Sequence, residues 1–237
     1  MEDINVKNII PVVLLFSIIL SSCCSNEKNI DPLNGNFLSI LSSGAHVQIN
    51  PQKNNCRSSQ GSGVYIGDGI IMTASHILNP DENGCVYYSH IGDDVNVAIN
   101  DNVLDAKVLK ISKNFSFGEN DVALVKIPEI YSRYYENLHA MPLCVKPAQP
   151  NDDFALLGFR RLIPVEHLGP LIQGQFQTGD SGSGIINMKE KCIYGIVSAS
   201  EKIGFDSDMS RTEPKSLSAT TLSITKFNEI KDFLDNR

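Results

Sequence analysis

Three short stretches of this chain carry side chains that can do covalent chemistry together. They are Met72–Leu78 (MTASHIL) around His76, Asn120–Ile127 (NDVALVKI) around Asp121, and Thr178–Gly184 (TGDSGSG) around Ser181. A serine hydroxyl is a weak nucleophile until a neighbouring imidazole removes its proton. The imidazole works best when a buried carboxylate fixes its tautomer and stabilises the imidazolium that forms. The oxyanion that develops on an attacked carbonyl then needs preorganised donors, commonly two backbone N–H groups. The chain offers an imidazole, a carboxylate and a hydroxyl for these parts, 45 residues (121 − 76) and then 60 residues (181 − 121) apart. Each alone has a plainer reading. His46, His90, His139 and His167 read as surface or hydrogen-bonded residues, and Asp93, Asp94 and Asp101 as turn residues.

The surrounding pattern says what must carry these groups. From residue 37 onward, short β-like runs alternate with turn residues. Val64–Ile66, then Gly67-Asp68-Gly69, then Ile70–Met72 is a hairpin signal with turn residues suited to positive φ. Val95–Ile99 alternates apolar and polar as a half-buried strand does, and Val103–Ile111 and Val122–Ile127 continue the series. His76 follows an apolar strand at a turn, Asp121 opens one, and Ser181 sits in a glycine-rich turn. Pro128, Pro142, Pro147 and Pro150 mark a stretch that cannot be central strand. Phe154–Phe159, Gly184–Ile186 and Ile193–Ser198 form a second strand group. Thr225–Asn236 places Phe227, Ile230 and Leu234 on one helical face. The reading is all-β, two small barrels in series over residues 37–127 and 151–224. A linker at 128–150 joins them, and a helix at 225–237 closes the chain.

Composition narrows the partners. A formal charge of −7 argues against nucleic acid, which needs clustered cations; Arg160-Arg161 is the densest basic spot. Ile9–Leu20 is an apolar run of twelve residues, too short for a bilayer, which needs about 20, but the length of a signal-peptide core. It leads into Leu20-Ser21-Ser22-Cys23, which resembles the lipobox of bacterial lipoproteins. That implies a signal peptide at 1–22, acylation of Cys23 as a membrane anchor, and a tether over 23–36; Glu2 and Asp3 depart from the usual basic start. Of the remaining cysteines, Cys56, Cys85, Cys144 and Cys192 can pair in three ways. Their spacing resembles no zinc site, so disulfides in an oxidising compartment are expected. Cys56–Cys85 and Cys144–Cys192 are favoured because each joins nearby regions.

Thr73-Ala74-Ser75-His76, Asp121-Val122-Ala123-Leu124, Gly179-Asp180-Ser181-Gly182 and Gly195-Ile196-Val197-Ser198 together resemble the motifs of the chymotrypsin-like (trypsin family) serine proteases, in that family's order. The resemblance implies a two-barrel fold and hydrolysis of protein or peptide substrates through an acyl-enzyme, with no metal or organic cofactor. His76 would be general base and then acid, Asp121 its orienting partner and Ser181 the nucleophile. The N–H groups of Gly179 and Ser181 would form the oxyanion hole, and Ser198 would support the buried aspartate.

The departures matter too. Ser75 and Ile77 flank the histidine where secreted animal members carry alanine and cysteine, and Ser183 stands where a second glycine is usual. Only 23 residues separate Gly158 from Ser181, so the second barrel is abbreviated, closer to compact bacterial relatives. Gln175 stands where trypsin has an aspartate, so strong preference for Arg or Lys is not expected. A shallow substrate pocket is expected near Gln175, Thr178, Ser198 and Ser200. Asp180 would be held either by a new N-terminus cut before Ile40 or, the preferred reading, by another partner in a constitutively formed site. The rival function on the same fold is a silent surface lipoprotein that binds a protein partner. A histidine base must be neutral to act, so peptidase activity is expected to fall on acidification. A pH–rate profile that stays flat down to pH 4 would contradict it.

Overall fold

The computed structural model describes residues 35–49, 58–79, 81–82, 85–86, 88–112, 120–146, 149, 151–168, 171–174, 176–200 and 220–235. A short helix, α1 (Gly35–Leu41), leads into β1 (Gly44–Ile49), β2 (Ser59–Gly67) and β3 (Ile70–Thr73). A single helical turn, α2 (Ser75–Leu78), and a two-residue pair, β4 (Asp81–Glu82) with β5 (Cys85–Val86), precede β6 (Asp94–Ile99), β7 (Asn102–Ile111) and β8 (Ala123–Lys126). Strands β1-β2-β3-β8-β7-β6 close into a six-stranded antiparallel barrel. The alternation read from the sequence decides which face of each strand turns inward. Along β7, Leu104, Ala106 and Val108 are buried while Val103, Asp105 and Lys107 face outward. The Gly67–Asp68–Gly69 turn runs through φ of 107, 52 and 70°, as its residue types predict.

The second barrel is built from β9 (Phe154–Gly158), β10 (Arg161–Leu168), β11 (Leu171–Gly174), β12 (Gly184–Asn187), β13 (Cys192–Ser200) and β14 (Thr220–Lys226), closed in the order β10-β11-β14-β13-β12-β9. All five residues of β9 are buried, because it pairs with β10 and β12 and packs against β1 and β2 of the first barrel. The two-barrel expectation holds, and the sheet is richer than the sequence pattern indicated. No strand is expected between Gly158 and Gly184, yet β10 and β11 form a hairpin there. Pro164 disguises β10. It is tolerated because β10 bonds to β9 along Arg161–Val165 and meets β11 only from Glu166 onward, so the proline faces no second neighbour.

Two ends also differ from expectation. α1 covers residues placed at the tether and barrel edge; Ile40 enters the first-barrel core and is 2% exposed. The closing helix, α4 (Phe227–Asp235), begins two residues later than expected, because Thr225 and Lys226 continue β14 beside Ile196 and Gly195. Ile230 of α4 is fully buried, with Phe233 and Leu234 packed on the same core.

Between the barrels, a 3₁₀ turn (Glu129–Tyr131) and α3 (Ser132–Tyr135) carry the chain to a segment fastened at both sides. The Met141 N–H donates to Tyr65 O of β2 at 3.0 Å. Pro142 and Cys144 exchange hydrogen bonds with Ile193 of β13, and Cys144 is disulfide-bonded to the neighbouring Cys192, as expected. Cys56 and the Cys85 side chain lie outside the described residues. Since the Cys144–Cys192 link closes a loop through most of the second barrel, the Cys144→Ser/Cys192→Ser double variant should unfold in urea with about 2–5 kcal/mol less stability. A loss below about 1 kcal/mol would show that the segment's backbone bonds already hold it.

Candidate active site

Strand register brings the first two candidate residues together. β3 and β8 run antiparallel with Thr73 opposite Ala123, so the residues just after β3 and just before β8 share one end of the barrel. Ala74 is extended at φ −85°, ψ 142°, and α2 starts at once, turning His76 towards β8. Ser75 Oγ donates to Val122 O at 2.6 Å and ties that turn to the strand entry. His76 Nδ1 lies 2.7 Å from Asp121 Oδ2, and the His76 backbone N–H donates to Asp121 Oδ1 at 3.0 Å. From the second barrel, Ser198 Oγ donates to the same Oδ2. Asp121 is fully buried, and three donors around one carboxylate compensate the loss of water. With Nδ1 engaged by the carboxylate, Nε2 is the ring nitrogen through which His76 can exchange a proton with a substrate or a hydroxyl. The ring is about one-fifth exposed.

Ser181 sits between two consecutive turns, in which the Asp180 N–H donates to Gln177 O and the Ser183 N–H to Asp180 O. Gly179 has φ +98° and Gly182 φ +79°, so the turn passes twice through backbone space that a side chain disfavours. β2 of the other barrel grips the loop from outside. Ser62 Oγ donates to Gly179 O at 2.8 Å, the Ser62 N–H donates to Ser181 O at 2.7 Å, and Thr73 Oγ1 donates to Ser62 O at 2.6 Å. With these carbonyls bound to β2, neither the Gly179 nor the Ser181 N–H has an acceptor among the described residues. Two backbone donors so placed can receive a developing oxyanion. The turn touches α2: a methyl group on Gly182 would lie 2.9 Å from Ile77 Cδ1, beside His76. Among the described residues Ser181 makes no side-chain hydrogen bond. Such contacts are often long until substrate arrives.

A family model for the trypsin-like peptidase domain matches residues 61–196, more than half of the chain. The chain belongs to the trypsin-like peptidase domain family. Among solved structures, the active form of the Rv3671c protease from M. tuberculosis is similar at a TM-score of 0.56 and 16% identity, over 85% of this chain and 83% of that one. The inactive form of the same protease gives 0.54 and 16%, over 85% and 92%. A kallikrein-related peptidase 10 complex with Zn2+ gives 0.51 and 14%, over 83% and 95%. No curated protein sequence matches. At such identities the structural likeness carries the two-barrel fold.

Against that fold, this trypsin-like domain holds Asp180 in a way its sequence pattern did not reveal. Arg161, at the start of β10, donates through Nη1 to both carboxylate oxygens of Asp180, at 2.8 and 2.7 Å, and the Gln177 N–H adds a bond of 2.7 Å. In the sequence Arg161 was only half of a basic pair. Ser62 was equally invisible, since nothing in a strand pattern tells which hydroxyl will meet a loop 117 residues away; Thr73 stood only in the motif before His76, with nothing to mark it as the donor to Ser62 O. A cavity of about 190 Å³ opens beside the turn, lined by His46, Gln60 and Ser62 from the first barrel and by Phe159, Arg161 and Thr178 from the second. Of the expected pocket residues, Thr178 lines this cavity and Ser198 turns its hydroxyl to Asp121; Gln175 and the Ser200 side chain lie outside the described residues.

The two turn glycines separate conformation from space. A Cβ on Gly182 would sit 2.2 Å from Ser62 O and 2.5 Å from Thr73 Oγ1, whereas a Cβ on Gly179 would meet nothing within 4 Å. Gly182→Ala should therefore cost at least about 3 kcal/mol in urea unfolding, and Gly179→Ala about 1–2 kcal/mol, the backbone penalty alone. Equal losses would show that the Ser62 contact yields freely.

Proposed function

We propose that the protein is a serine endopeptidase that cleaves peptide bonds through an acyl-enzyme. In this mechanism Ser181 Oγ attacks the carbonyl while His76 Nε2 takes its proton, and Asp121 stabilises the imidazolium that forms. The Gly179 and Ser181 N–H groups hold the oxyanion. His76 then hands the proton to the leaving amine, and a water activated by the same imidazole releases the acyl group. The observation that carries this reading is the 2.7 Å contact between His76 Nδ1 and the fully buried Asp121 carboxylate, on the helical turn that abuts the Ser181 loop. A histidine on a buried acid costs stability to build, and acyl transfer is what such a pair performs beside an activated hydroxyl.

The chain acts outside the cytoplasm in this proposal, anchored by an acylated Cys23 and facing protein or peptide substrates. Its support is the apolar run Ile9–Leu20 before Leu20-Ser21-Ser22-Cys23, together with a disulfide, which persists in oxidising compartments. Gln175 in place of an acid supports a cleavage preference other than Arg or Lys.

A fluorophosphonate probe should label the protein and leave Ser181→Ala unlabelled, and the wild type should digest casein. Absence of labelling would favour a binding protein on a protease fold, and labelling with turnover of esters alone would mark an esterase. Asp121→Asn should keep the fold and lose about 10⁴-fold in kcat.

A further inference from the structure

The β3–β8 ladder ends at Thr73 opposite Ala123, so Ser75, His76 and Asp121 all lie beyond its last pair. The Ser75 hydroxyl carries the connection further, donating to Val122 O, the carbonyl of the residue after Asp121, at 2.6 Å. Since Ser75 directly precedes His76, this one bond joins the chain neighbours of the imidazole and of the carboxylate. Ser75 and Val122 are both fully buried, so the hydroxyl touches neither substrate nor bulk water. Secreted animal members carry alanine at this position, and the serine adds a donor that alanine lacks. The acceptor is itself anchored: Val122 O also accepts from the Ser112 N–H at 3.2 Å, and the Val122 N–H donates to Asn120 O at 3.0 Å. The far end of α2 is fastened separately, by Ser89 Oγ to Leu78 O and by the Ser89 N–H to Asn79 Oδ1 at 2.8 Å.

A bond between a hydroxyl and a carbonyl does not change with the charge on the imidazole. The attraction between His76 and Asp121 does, because the ring is neutral when it takes the Ser181 proton and cationic afterwards. The Ser75 bond therefore counts most in the neutral state, when the Coulombic pull on the ring is weakest and the reactive geometry still has to be held.

We propose that Ser75 is a positioning residue whose hydroxyl, by tying α2 to the entry of β8, keeps His76 Nδ1 on the Asp121 carboxylate while the imidazole is neutral. The inference rests on the serine-peptidase reading, but its geometric part can be read apart from activity. The test is Ser75→Ala in the full chain with ¹⁵N-histidine labelling, the His76 Nδ1 proton resonance being identified by its loss in His76→Ala. The variant keeps its fold, since Val122 O retains the Ser112 N–H. Its Nδ1 proton should resonate at a displaced position and exchange faster with water, kcat should fall by about tenfold or more, and KM should stay within about threefold. Ser75→Thr, which returns the hydroxyl, should restore both the resonance and kcat. If Ser75→Thr does not fold, Ser75→Cys, a weak donor of similar size, should fall between alanine and serine in both. Ser89→Ala removes a buried hydroxyl from the other end of the same turn and should leave the resonance and kcat near wild type. An unmoved resonance, a kcat within about threefold of wild type or a loss confined to KM overturns the proposal. So does an equal effect from Ser89→Ala, which would assign the change to general loosening of α2, and so does a folded threonine variant that stays at the alanine level. Failure of the wild type to take up fluorophosphonate would overturn the peptidase reading, while the His76 resonance would still decide the role of Ser75.

Discussion

A negative charge without water is the constraint around which this molecule is arranged. Asp121 stands at the entry to β8, fully buried, and such a group is tolerated only when several donors converge on it. Two of them belong to His76, on the turn after β3, and one to Ser198, on β13 of the other barrel. The carboxylate is therefore satisfied only when both barrels are folded and docked. That requirement links the chemistry of the site to the integrity of the interface, since loss of docking strips a donor from the same oxygen that orients the imidazole.

The Ser181 loop follows the same logic with backbone groups. Its carbonyls at Gly179 and Ser181 are bound by Ser62 of β2, and Gly182 packs so closely on Ser62 and Thr73 that no side chain fits. The second barrel supplies the loop, and the first barrel fixes its shape. Close approach of one backbone to another explains why the sequence is small-residue-rich on both sides, at Gly61-Ser62-Gly63 and at Gly179–Gly184. The connecting segment completes the clamp, bonded to Tyr65 of one barrel and to Ile193 and Cys192 of the other.

Asp121 and Asp180 are both buried, and each carboxylate is compensated differently. Asp121 is met by neutral donors and an imidazole, a partner that can gain and lose a proton. Asp180 is met by a guanidinium, which stays charged at every accessible pH, and by a backbone amide. The first pairing suits a group that takes part in proton transfer, and the second suits a fixed structural charge.

Strand periodicity, turn chemistry and four short motifs were enough to read the two-barrel architecture and to pick out His76, Asp121 and Ser181. Those signals are local: alternation reports which face of a strand is buried, and glycine reports where the backbone must bend. β10 escaped notice because Pro164 breaks the local pattern, and only its missing second neighbour makes the proline harmless. Ser62, Thr73 and Arg161 escaped for a different reason. A hydroxyl or guanidinium carries no sign of the group it will meet: Ser62 meets Gly179 across 117 residues, Thr73 meets Ser62 across a hairpin, and Arg161 meets Asp180 19 residues on. The amino-acid order decided which groups were present and on what kind of element. Which of them face one another was settled by strand register inside each barrel and by docking one barrel on the other, because burying a charge or a peptide group is possible only where folding delivers its partner.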